Sequence, residues 1–162
     1  MRSDHAGETG AVFIYRGILA VSRHERVVAF AREHLAVEER HLAALDQWLP
    51  SARRSRLLPL WRVSGWTLGA IAGLAGEAAV YHTIEAVETF VVRHYQQQID
   101  RLGESGAEGE LRRTLCSFRD DEAGHRDDAG GRVGRPRAGV VRIWQAVVGG
   151  GSAAAVRLAR LV

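Results

Sequence analysis

Apolar residues return at three- and four-residue steps over most of the chain, the spacing of one buried helix face. The stripe is clearest between Glu25 and Trp48. There Val27, Phe30, Ala31, His34, Val37, Glu38, His41, Leu42 and Leu45 align, while Arg26, Arg32, Glu33, Glu39 and Arg40 lie mostly elsewhere. The pattern predicts six helices: roughly His5–Val21, Glu25–Trp48 (stopping before Pro50), Leu60–Leu74, Glu77–Leu102, Glu108–Ala129 and Val140–Leu161. Strand alternation is nearly absent, and the Gly-rich stretches at 103–109 and 130–139 read as loops. The expected class is all-α, in one domain spanning 1–162.

The second stripe carries an anomaly, because Glu38 and His41 stand on its inward side. A buried carboxylate beside a buried imidazole is costly unless something neutralises it, and a metal cation does so well. Positions i and i+3 share a helix face, so both side chains can reach one ion. The same spacing recurs as Glu122 and His125 in the fifth segment. One Glu-x-x-His is weak, but two on separate amphipathic helices are a much stronger signal.

Bundles that hold two metals take one further glutamate from each of two other helices. Glu8 in the first segment and Glu88 in the fourth are the candidates. Glu85 competes with Glu88, and Asp121, four residues before His125, competes with Glu122. Alone, Glu8 also reads as a first-turn acid favoured by the helix dipole. His34 and His5 lie one turn before Glu38 and Glu8, as hydrogen-bond partners of ligands or as partly buried histidines. His24 is expected on the surface. Four carboxylates balance two divalent ions, and oxygen-rich ligation with one imidazole per metal suits iron or manganese better than zinc.

Composition sharpens this. Hydrophobic residues are 46% and charged residues 25%, which argues against disorder. All 22 basic residues are arginine, and the formal charge is +3. The arginines are scattered, and Arg53-Arg54-Ser55-Arg56 is short, so nucleic acid is not an expected partner; anionic phospholipid headgroups fit better. Cys116 is the only cysteine and can form no internal disulfide. No secretory signal is expected, because Arg2, Asp4, His5 and Glu8 interrupt any early apolar run.

From Val63 to Val80 only Glu77 is charged. Fully helical, that run would cover about 27 Å, near the thickness of a bilayer core. Four glycines and the bracketing Arg62 and Glu77 argue against a span. Trp61 and Trp66 favour a helix lying in one leaflet, against a core helix or dimer contact as the plain alternative. The segment from Val140 to Val162 sets Arg142, Arg157 and Arg160 among apolar residues, and packs on the bundle, on a membrane, or on both.

Several runs together carry a resemblance. They are Asp4-His5-Ala6-Gly7-Glu8, Glu38-x-x-His41, Pro59-Leu60-Trp61 before a Gly-rich apolar helix, Ala86-Val87-Glu88 before His94-Tyr95, and Phe118-Arg119-Asp120-Asp121-Glu122-x-x-His125. Over nearly the whole chain this resembles the demethoxyubiquinone hydroxylase family. The resemblance implies a ferritin-like four-helix bundle with an additional apolar interfacial helix and a C-terminal helix. It implies a di-iron centre held by Glu8, Glu38, His41, Glu88, Glu122 and His125, which turns the Glu85/Glu88 choice toward Glu88. His94 and Tyr95 match a family pair expected to serve electron or proton delivery. The implied activity is O2-dependent hydroxylation of the ring of a polyprenylated demethoxyubiquinol. Reducing equivalents are expected from NADH, the quinol or a reductase, since no Gly-x-Gly-x-x-Gly motif appears. The implied setting is peripheral, on the cytoplasmic face of a bacterial inner membrane, with a lipid-binding accessory protein and a second copy of the chain as candidate partners. Two rivals share the ligand set: a ferroxidase or iron-handling protein, and a non-catalytic quinone-binding scaffold at the membrane. The first does not explain the Trp-flanked apolar helix; the second predicts bound metal without oxygen consumption.

Overall fold

Glycine and proline punctuate the chain where its helices stop. The computed structural model describes residues 1–133 and 139–161, with helices α1 (Arg2–Val21), α2 (Glu25–Trp48), α3 (Leu58–Ala75), α4 (Glu77–Ile99), α5 (Gly106–Arg132) and α6 (Val140–Leu161). A short 3-10 turn covers Ser51–Arg53, and there is no strand among the described residues, as the periodicity predicts. α2 ends one residue short of the position preceding Pro50, with Leu49 extended, because proline disfavours the helical conformation of its predecessor. Pro59 sits in the first turn of α3, where its missing N–H costs nothing. Gly76 separates α3 from α4 with φ +105°, a conformation that only glycine adopts readily. Before α5, the Glu108 carboxylate reaches back to accept the Gly103 N–H at 2.9 Å.

The 130–139 stretch is only partly the expected loop. α5 continues through Gly130, Gly131 and Arg132. Arg132 is tied to Asp128 one turn earlier, with Nε donating at 2.8 Å, and stacks over the Tyr81 ring at 5.7 Å. Residues 134–138, and the side chains of Arg142, Arg157 and Arg160, lie outside the described residues.

The chain divides into two compact units: Met1–Val80 with Gly151–Val162, and Tyr81–Gly150. In the first, α1 and α2 form an antiparallel hairpin. The buried faces are Glu8, Val12, Tyr15 and Ile18 on α1 and Val27, Phe30, His34, Glu38, His41 and Leu45 on α2. α3 lies parallel to α1 at unusually close range. A Cβ on Gly65 would meet the backbone of Gly10, on Gly69 that of Ile14, and on Gly73 the Val21 side chain. The glycine repeat of α3 is therefore a contact stripe that lets two backbones touch. Its opposite side carries Leu60, Val63, Trp66, Ile71 and Leu74, all exposed.

In the second unit, the N-terminal half of α6 is fastened to α4. Trp144 Nε1 donates to Thr83 Oγ1 at 2.9 Å, and Gln145 Nε2 donates to Glu85 Oε2 at 2.9 Å. α5 is fastened to α4 by Arg119, whose Nη1 donates to Gln96 Oε1 at 2.6 Å.

Candidate metal centre

The hairpin register of the first unit brings opposite ends of two stripes together. Glu8 comes from the second turn of α1; Glu38 and His41 come from one face of α2. A carboxylate oxygen of each glutamate and a ring nitrogen of His41 all lie within 4.8 Å of one another. His41 Nδ1 is 3.8 Å from Glu8 Oε2. All three residues are at most 3% exposed.

The second unit builds the same set again. Glu88 of α4 and Glu122 and His125 of α5 offer donor atoms within 4.8 Å of one another, and His125 Nδ1 is 3.3 Å from Glu122 Oε2. Glu88 and Glu122 are each 1% exposed. Each triad is thus two carboxylates and one imidazole, on an i, i+3 pair plus one residue of the facing helix.

The donor chemistry fits a divalent cation. Two carboxylates taken out of water together need a compensating positive charge. No arginine is buried among the described residues. A histidine can carry one charge, but two carboxylates exceed it. Oxygen-rich sites with imidazole are the preferred surroundings of iron and manganese.

The remaining candidates fall into place around the triads. Glu85 is only half-buried and bonds to Gln145, with His82 Nδ1 3.6 Å away. It lines a cavity of about 330 Å³ with Thr89, Phe90, Arg93 and Gln145, and is not one of the grouped donors. Asp121 is exposed, whereas its neighbour Glu122 is buried. His94 is buried, stacks on Phe90 at 5.9 Å, and accepts from Gln98 Nε2 at 3.1 Å. Tyr95 is 1% exposed and stands edge-on to Phe118. His24 is exposed, as expected.

His5 and His34 both have definite partners. His5 Nε2 is 2.9 Å from Asp46 Oδ1, and burial holds the imidazole below its ordinary 6.5 despite the opposing pull of Asp46. His34 Nδ1 is 3.3 Å from the hydroxyl of Tyr15. Neither Asp46 nor Tyr15 stood out in the sequence, although the interval from Glu8 to Tyr15 repeats from Glu88 to Tyr95.

Comparison with known proteins adds an independent line. The family model described as ubiquinone biosynthesis protein COQ7 matches residues 1–159. A 3-demethoxyubiquinol 3-hydroxylase of Rhodospirillum rubrum is 46% identical over 131 residues, covering 78% of this chain and 60% of the relative. An NADPH-dependent 3-demethoxyubiquinone 3-hydroxylase of Dictyostelium discoideum, mitochondrial, is 38% identical over 128 residues, with 77% and 59% covered. A 3-demethoxyubiquinol 3-hydroxylase of Bordetella avium is 33% identical over 144 residues, with 88% and 66% covered. The chain spans about 60% of the length of the first of these relatives.

Proposed function

The chain belongs to the ubiquinone biosynthesis protein COQ7 family, and from that premise we propose that it hydroxylates the ring of a polyprenylated demethoxyubiquinol with O2 at a di-iron centre. The observation that carries the proposal is the doubled donor set, a buried Glu and a Glu-x-x-His pair in each unit. In this reading the two triads pool, and Glu8, Glu38, His41, Glu88, Glu122 and His125 hold two irons within one ferritin-like domain over 1–162. Four carboxylates match the charge of two ferrous ions, so the filled site is neutral with both histidines uncharged. When bound, two adjacent irons supply the paired electrons that reduction of O2 requires.

The chain's own residues perform the rest. The glutamates and histidines fix the metals on rigid helices. Tyr15, Phe30, Tyr95 and Phe118 wall the two hairpins with buried rings, which keeps water from a reactive centre. His94, which stacks on Phe90 and accepts from Gln98, serves with Tyr95 in proton or electron delivery in this reading. The exposed row of Leu60, Val63, Trp66, Ile71 and Leu74 on α3 rests on a lipid surface and receives the polyprenyl tail. No helix among the described residues is long and apolar enough to cross a membrane. Reducing equivalents come from the quinol, a nicotinamide nucleotide or a separate reductase. The D. discoideum relative is named NADPH-dependent.

The test is to load the protein with ferrous iron under anaerobic conditions, count bound iron, add demethoxyubiquinol and O2, and weigh the quinone products by mass spectrometry. A gain of one oxygen that disappears in Glu88→Ala supports the hydroxylase. Iron bound and O2 consumed without a modified quinone favours ferroxidase chemistry. No bound iron overturns the metal reading itself.

A further inference from the structure

The two hairpins repeat more than their ligands. Tyr15 follows Glu8 by seven residues on α1, and Tyr95 follows Glu88 by seven on α4. On the facing helices, His34 and Phe118 each stand four residues before the glutamate of a Glu-x-x-His pair. The rings meet in the same way. Tyr15 and His34 lie edge-on, with centroids 5.9 Å apart and planes at 69°; Tyr95 and Phe118 lie edge-on at 6.1 Å and 69°. One chemical difference breaks the match: the ring that meets Tyr15 edge-on has a nitrogen and the one that meets Tyr95 edge-on does not, although His94, the residue before Tyr95, lies 6.1 Å from it at a tilt of 47°.

That nitrogen is used. Tyr15 Oη is 3.3 Å from His34 Nδ1, so with Nδ1 unprotonated the phenol donates to it. Both residues are sealed, Tyr15 at 0% and His34 at 4% exposure, and Phe30 covers the imidazole at 4.1 Å between centroids. Tyr15 and Glu8 share one face of α1, about 10 Å apart along the axis. Buried Ala11 and Val12 fill the interval. Long helical side chains lean toward the helix N-terminus, so the phenol leans toward the Glu8 end. His34 is one turn from Glu38 on the same face of α2.

We propose that Tyr15, hydrogen-bonded to His34, is a one-electron reservoir for the metal centre. This rests on the di-iron reading above. A buried phenol gives up an electron readily only if its proton leaves at the same time, and bulk water is not available to take it. His34 supplies the missing base. In the step, Tyr15 would give up one electron to an iron centre oxidised by O2. The phenolic O–H bond breaks, the proton forms an N–H bond at His34 Nδ1, and a neutral oxyl radical faces an imidazolium. The reductant that sustains the centre, a quinol or nicotinamide nucleotide, returns the electron, and the proton moves back. The reservoir drains an oxidised centre that has met no substrate. Phe118, at the position matching His34, has no ring nitrogen to take a proton.

The experiment compares the full chain with Tyr15→Phe, Tyr81→Phe and His34→Phe. Each is loaded anaerobically with ferrous iron, mixed with O2 without quinol, freeze-quenched, and read by electron paramagnetic resonance for an oxyl radical. Iron content and iron oxidation are measured on the same samples. The expected result is a radical in the unmodified protein and in Tyr81→Phe, its loss in Tyr15→Phe, and a strongly reduced yield in His34→Phe. Iron bound and oxidised with no radical, or with a radical that survives Tyr15→Phe, overturns the reservoir alone. No bound or oxidised iron overturns both this proposal and the di-iron reading. A metal-free measurement checks the premise: the His34 Nδ1 nitrogen resonance should shift in Tyr15→Phe, and an unchanged resonance removes the hydrogen bond on which the step depends.

Discussion

Gly69 and Ile14 touch backbone to backbone, so closely that a Cβ on Gly69 would overlap the Ile14 carbonyl. Such an overlap cannot be relieved by turning a side chain. Gly69→Ala must push α3 away from α1 over the stripe that also includes Gly65 and Gly73. Overpacking a core costs about 1–3 kcal/mol where side chains can yield. A main-chain collision belongs at or above the top of that range. Urea unfolding followed by circular dichroism should show the midpoint falling accordingly.

Gly124 should behave in the opposite way. It is exposed on α5, in the middle of the second Glu-x-x-His, with nothing within 4 Å of an added Cβ and no left-handed backbone. Gly124→Ala should raise stability by about 1 kcal/mol, because alanine loses less backbone freedom in a helix. Iron content should not change, since Glu122 and His125 keep their positions. A drop in stability measured by the same unfolding assay would show that this turn of α5 is strained in some other way.

These two glycines show what a sequence does and does not disclose. All six helices were legible, most from an apolar stripe against polar positions, and α3 from an almost unbroken apolar run after Pro59. Glu38/His41 and Glu122/His125 were legible because i, i+3 geometry is local. The glycines of α3 read only as a reason not to span a membrane; their task as a contact stripe depends on which residues of α1 lie opposite. The same limit hid Tyr15 and Asp46, whose meaning arises from the register of α1 against α2. The extension of α5 to Arg132 was missed because two glycines outweigh local propensity until the Asp128 pair and the Tyr81 ring are present.

Acid should weaken the metal-free protein partly through His5. Burial holds its folded pKa below the ordinary 6.5, so between these two values the unfolded chain binds more protons than the folded one. Stability then rises with pH across that window; it is lost as pH falls below about 6.5 and levels off below the folded value. His5→Gln, which keeps a donor toward Asp46, should lose less stability than the unmodified chain between pH of about 7.5 and 5.5. Equal losses in parallel urea titrations would assign the acid sensitivity to other histidines.

Glu85 and Glu88 offer the sharpest contrast, being one turn apart on α4 with opposite surroundings. Glu88 is 1% exposed and groups with Glu122 and His125; Glu85 is half-buried and holds Gln145 of α6. Glu88→Ala should abolish most iron binding and with it the rise in melting temperature on anaerobic loading. For a ligand at 100 times its dissociation constant that rise corresponds to about 2.7 kcal/mol. Glu85→Ala should retain both iron and the thermal shift, while costing the metal-free protein about 1 kcal/mol for the lost Gln145 bond. Elemental analysis and paired thermal scans read both effects on the same samples. If Glu85→Ala lost the iron and Glu88→Ala kept it, the assignment of ligands along α4 would be wrong by one turn, and the second triad would have to be rebuilt around Glu85.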